Sequence, residues 1–180
     1  MGTGLYKSTD NGETWNLMTY AADPNQSGKY LKESTPNTKI VSGTSFYPHP
    51  FILTGKLVSH SFDGSTSTLF VTTQYLGLYK STDGGESFTQ VDPGVPSGEF
   101  PFYCDVIVDQ NHVITIWMSP TDSSPNGYFR STDQGNTFAK VNPTDYPNLN
   151  FSARGVLAFA PSAPEKIYSV RSLLTPTAKR

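Results

Sequence analysis

The chain has 180 residues, of which 36% are hydrophobic and only 16% charged, with 15 glycines, 14 prolines and a formal charge of −2. That length suits one domain with a real core. The lack of any basic run removes the electrostatic term behind nucleic-acid binding and polybasic membrane attachment. No apolar segment approaches the roughly 20 residues of a membrane helix. No apolar stripe at helical spacing is sustained, so many short strands joined by turns are expected.

In chain order, Met1 leads straight into "GLYKSTDNGETW" (Gly4–Trp15) without a signal peptide or approach strand, so the expectation is that either export is absent or the true N-terminus is missing. Short alternating runs predict strands at Leu5–Lys7 and Thr14–Leu17. A long connection, 18–55, is read as irregular and holds "KIVSGTSFYPHPF". A first set of strands follows at Lys56–Phe62, Thr68–Gln74, Leu78–Lys80 and Ser87–Val91. A second set is Phe102–Val108, Val113–Met118, Tyr128–Arg130 and Thr137–Val141. Gly155–Phe159 and Lys166–Val170 look like the first two strands of a third set.

The last two strands of each complete set flank a repeat of the opening phrase. "GLYKSTDGGESF" spans Gly77–Phe88 and "GYFRSTDQGNTF" spans Gly127–Phe138. Each copy runs from a strand through turn residues into a second strand. An Asp or Ser side chain in a tight turn accepts backbone N–H groups that the ladder leaves open. Gly12, Gly85 and Gly135 stand where a hairpin loop often needs positive φ. The aromatic that follows, Trp15, Phe88 or Phe138, is placed to fold beneath the turn and pack on the sheet.

The pattern Ser-x-Asp-x-Gly-x-Thr-aromatic resembles the Asp-box, or BNR repeat, of sialidases, family 74 xyloglucanases, sortilin-type receptors and photosystem assembly factors. It is carried here by Ser8, Asp10, Gly12 and Trp15, by Ser81, Asp83, Gly85 and Phe88, and by Ser131, Asp133, Gly135 and Phe138. Ser87 takes the place of the threonine in the second copy and keeps its hydroxyl. In those families the box marks the turn between the two outer strands of a β-propeller blade. The resemblance implies an all-β chain built from propeller blades of four antiparallel strands. The ring is incomplete, with about three blade equivalents against the roughly four or more of a closed propeller. The whole of 1–180 is read as one partial propeller domain: an outer half-blade (1–18), blades at 55–91 and 102–141, and an inner half-blade (153–171). It is expected to be a piece of a longer propeller, or a subunit completing its ring with copies of itself.

Antiparallel strands send successive turns to opposite ends of a sheet. The boxes therefore share an end with the short turns at 63–66, 109–111 and 162–166, and the longer connections lie at the other end. Long connections on a rigid scaffold are where binding usually resides. Phe46, Tyr47, His49 and Phe51 cluster in the longest one, and aromatic faces there suit stacking on sugar rings. The same cluster also suits a local apolar plug or an added strand. Tyr75 and Trp117, near strand ends, are candidates for the same stacking role or for core packing.

A glycosidase usually needs two carboxylates about 5–9.5 Å apart. The box aspartates are consumed by their turns. Asp63, Asp105 and Asp109 remain, but Asp105 and Asp109 would stand about 13 Å apart along one strand. No catalytic pair is nominated. A sialidase arginine triad is equally unsupported, since the arginines are only Arg130, Arg154, Arg171 and Arg180. The lone Cys104 reads as a small core residue. His49, His60 and His112 lack ligand-like spacing, so no metal and no cofactor is expected. His60 with Asp63 forms either a proton relay or a surface hydrogen bond. The resemblance implies a carbohydrate-active, xyloglucanase-like role, with a polysaccharide or oligosaccharide as partner and an extracellular parent protein. The alternative is a non-catalytic binding propeller of the sortilin-like or assembly-factor kind.

Overall fold

A computed structural model describes residues 5–34, 54–73, 76–94, 101–120, 127–142 and 155–171. All regular elements in them are β-strands, paired antiparallel. β1 (Leu5–Lys7) and β2 (Asn16–Met18) form a hairpin. β3 (Tyr20–Ala22), β4 (Lys29–Lys32), β5 (Thr54–Ser61), β6 (Ser67–Thr73), β7 (Gly77–Ser81) and β8 (Ser87–Val91) make a six-stranded sheet in the order β3-β4-β8-β7-β6-β5. β9 (Pro101–Val108), β10 (Ile114–Pro120), β11 (Gly127–Ser131) and β12 (Ala139–Lys140) form a four-stranded meander. β13 (Gly155–Ala160) and β14 (Ala163–Arg171) pair alone.

The strands at the middle of these sheets carry apolar residues at adjacent positions, such as Phe70 with Val71 and Ile116 with Trp117, because both faces are covered. Successive side chains point to opposite sides. Phe70 enters a core with Val106, Ile114, Ile116 and Phe129, between the six-stranded sheet and the meander. Its neighbour Val71 enters another with Met18, Tyr20, Tyr79 and Phe88, beneath the β1–β2 hairpin. In the meander, Val106 and Ile116 face the first core while Ile107 and Trp117 turn to a third, closed by Leu157 of β13. The four sheets are thus layered in chain order, each sealing one face of the next. Close approach at the last layer depends on Gly155, where an added Cβ would stand 2.7 Å from the Trp117 ring. Cys104 lies in the first core, as a small buried residue.

Two differences from the sequence reading concern connections. Part of 18–55, expected to be irregular, folds as the β3–β4 hairpin and lengthens the sheet through Tyr30 opposite Phe88. Its turn is set by Asp23, whose Oδ1 accepts the Asn25 amide at 2.9 Å, and by Gly28 at φ 74°. The turn expected at 162–166 is shorter, since β14 begins at Ala163 and the ladder shifts register between Phe159 and Ala160.

Candidate functional site

The three repeated turns are superimposable in chemistry. In each, the serine hydroxyl donates to the aspartate Oδ1 at 2.7 Å and accepts the glycine amide at 2.8–2.9 Å. The same Oδ1 accepts the amide of Thr14, Ser87 or Thr137 at 2.9 Å. The hydroxyl of that residue donates to Oδ2, at 2.6 Å for both Ser87 and Thr137, and Thr14 bonds Asp10 likewise. Serine in the second copy therefore replaces threonine without losing a bond. Gly12, Gly85 and Gly135 have φ of 82–92°, and the residues before them, Asn11, Gly84 and Gln134, are also left-handed.

These bonds favour the ionised carboxylate. Thr14's hydroxyl and amide, with the Ser8 hydroxyl, bring Asp10 down to about 2. Thr137 and Ser131 hold Asp133 below the ordinary carboxylate range in the same way. For Asp83, burial pushes upward, and the Ser87 and Ser81 bonds still bring the group down overall. All three aspartates are committed to holding their own loops.

The aromatic that ends each turn depends on its surroundings. Phe88 is 0% exposed, Phe138 is half-buried against the first core, and Trp15 is 61% exposed. The Trp15 indole donates to the Gly12 carbonyl at 3.1 Å, so it folds back on its turn without reaching a core. Tyr20 had no sequence signal, yet its buried hydroxyl donates to the Gly85 carbonyl at 2.6 Å and its ring meets Phe88 edge-on.

The remaining candidates resolve as follows. Phe46, Tyr47, His49, Phe51 and Tyr75 lie outside the described residues. Trp117 is 1% exposed and packs with Ile107 and Leu157, so it fills the core-packing role that its position also allowed. Asp63 accepts the amides of Ser65 and Thr66 at 2.8 Å, and Asp109 those of Asn111 and Val113. Asp105, buried, takes the Leu157 amide at 2.5 Å and faces the Lys56 amine at 3.3 Å, tying β9 to β13 and β5. Each of these carboxylates thus has a structural duty.

Two features escaped sequence reasoning. His60 Nε2 and His112 Nδ1 meet at 2.7 Å, although the residues are 52 apart in the chain. Burial first, and then the neighbouring His112, push the His60 imidazole down, and Asp109 opposes them. At 2.7 Å one of these nitrogens donates a hydrogen bond to the other, and no group of three metal-ligating side chains occurs among the described residues. The His60 partner is thus His112 rather than Asp63. The second feature is a cleft of about 310 Å³ bordered by Lys7, Asn16, Lys32 and Glu33, with the buried Thr19 in its wall. Thr19 Oγ1 has no hydrogen-bond partner among the described residues.

No protein-family model matches the chain. A xyloglucanase from Paenibacillus sp is 27% identical over 148 residues, which cover 79% of this chain and 13% of that protein. The chain is therefore similar to a small part of a xyloglucanase.

Proposed function

We propose that the chain is part of an Asp-box β-propeller of a carbohydrate-active, xyloglucanase-like glycoside hydrolase, acting as scaffold and carrying glycan-binding loops. The observation that carries this reading is the likeness to a xyloglucanase over 79% of the chain. The three repeated turns support it, each joining the two strands of a hairpin with identical bonds. In this reading the turns are blade corners, and sugar is met at the opposite end by Phe46, Tyr47, His49 and Phe51. The parent protein acts outside the cell, where its polysaccharide is.

A second reading, a non-catalytic binding propeller, is favoured by one observation. Asp63, Asp105 and Asp109 all hold backbone amides, which leaves none of them as an acid–base pair. Affinity electrophoresis through xyloglucan is the test. Retardation of the chain, weakened at least tenfold by Phe46→Ala with Tyr47→Ala, is expected. Unchanged mobility in xyloglucan and in other plant polysaccharides would sink the proposal. Reducing-end release by the chain would decide for the enzyme over the binding module.

A further inference from the structure

One contact between the layers is built from two groups that change charge near neutral pH. His60 lies near the end of β5, and His112 lies in the turn between β9 and β10, with Nε2 of the first 2.7 Å from Nδ1 of the second. The turn is braced on every side. Asp109 Oδ1 accepts the amides of Asn111 and Val113, and the His112 amide donates to the Asp109 carbonyl at 3.1 Å. His112 itself is left-handed, at φ 63°. Toward the next layer, Gln110 Nε2 donates to the Pro161 carbonyl at 2.9 Å. Phe62 meets both imidazoles, at 4.8 Å from His60 and 5.7 Å from His112 between ring centres, and packs edge-on against Phe70 of the first core.

We propose that the His60–His112 contact is an acid-opened clasp between the six-stranded sheet and the meander, closed while the pair carries at most one positive charge and opened by the second proton. The inference does not depend on the carbohydrate reading. With both rings neutral, an N–H of one meets the lone pair of the other. One added proton keeps that bond, because an imidazolium donates to a neutral imidazole. A second proton leaves two N–H groups and two positive charges facing each other with no acceptor between them.

The charged groups around the pair do not offset that repulsion. Burial and His112 push the His60 imidazole down, and Asp109, which draws it toward the charged form, is outweighed. Asp63, just beyond β5, is committed to the Ser65 and Thr66 amides. Lys56, further back on β5, pairs with Asp105 of β9. On β6 the residue opposite His60 is the uncharged Thr68. An imidazole lowered in the folded chain adds stability that is present above its unfolded value of about 6.5, and that stability is lost as pH falls below it toward the folded value. Opening would release the turn from β5 and uncover Phe62, while the first core keeps the two sheets joined.

The test follows the ring nitrogens of both histidines by NMR through mild acid, together with denaturant unfolding of the parent, His60→Gln and His112→Asn. Both replacements keep a hydrogen-bonding side chain without a titrating ring, and asparagine tolerates the left-handed backbone at 112. The expected result is that protonating one ring resists protonation of the other. As the second proton enters, amide exchange at 60–63 and 110–113, corrected for its intrinsic pH dependence, should quicken at least about threefold while the β spectrum stays intact. From neutral pH into that range, the folded-to-unfolded ratio of the parent should fall at least about threefold further than that of either variant. His49 is common to all three proteins and cancels in that comparison. Two rings that titrate without affecting each other would overturn the clasp. So would parallel stability profiles, or coupled titration with no change in exchange.

Discussion

The turn at 8–15 and the turn at 81–88 carry the same bonds, with matching distances agreeing within about 0.1 Å. Their surroundings have little in common. The second turn lies under Tyr20, whose hydroxyl reaches the Gly85 carbonyl, and its Phe88 is wholly buried. The first turn faces solvent, and its Trp15 covers only its own loop. Local hydrogen bonding is therefore written into the repeated residues. Burial is supplied by whichever sheet lies next, and among the described residues the β1–β2 hairpin has a neighbouring sheet on one face alone.

The sharpest way to break the comparison is to truncate both aromatics. Phe88→Ala removes a ring from a closed core and should destabilise the chain by about 3–5 kcal/mol. Trp15→Ala should cost under about 0.5 kcal/mol, as for an exposed site. Chemical denaturation of both variants measures the gap. Equal losses would mean that Trp15 is covered in solution.

The glycines should follow the same order with a smaller spread. At Gly135 an added Cβ would lie 2.9 Å from the Phe70 ring and 3.1 Å from the Ile114 methyl, on a backbone at φ 82°. Gly135→Ala combines left-handed strain with overpacking and should cost about 2 kcal/mol or more. At Gly12 the nearest atom is 3.8 Å away, in the Trp15 ring, so Gly12→Ala should cost only the strain, about 1 kcal/mol. A reversal of that order in denaturant midpoints would contradict the packing of the third turn.

Much of this was legible in the sequence because the signals are local. Ser, Asp and Gly within a few residues specify a turn by their own bonds, and apolar runs such as "LFV" and "VITIWM" specify strands covered on both faces. What stayed hidden depends on partners far along the chain. The β3 and β4 strands are only three and four residues long, and pairing with β8 stabilises them across more than fifty residues. The His60–His112 contact joins a strand end to a turn on the next sheet, which residue spacing cannot reveal. Trp117 could be read as stacking residue or core residue from its strand-end position. The layer formed by β13 decides for the core.

The smallest contrast is in acid. A carboxylate whose folded pKa is lowered adds stability that is present above its unfolded value near 4, and that stability is lost as pH falls through the folded value. For Asp10 the bonds from Thr14 and Ser8 act with little opposition, and its folded value is about 2. For Asp83 burial pushes the other way and leaves a smaller net lowering. Carboxyl carbon shifts followed by NMR from pH 5 downward should therefore show Asp83 protonating before Asp10. The Asp10→Asn variant should melt slightly below the parent at pH 5, with the difference closing as pH approaches 2. If Asp83 instead keeps its charge to lower pH than Asp10, hydrogen bonding outweighs burial even beneath Tyr20. The two turns would then be alike in energy as well as in geometry.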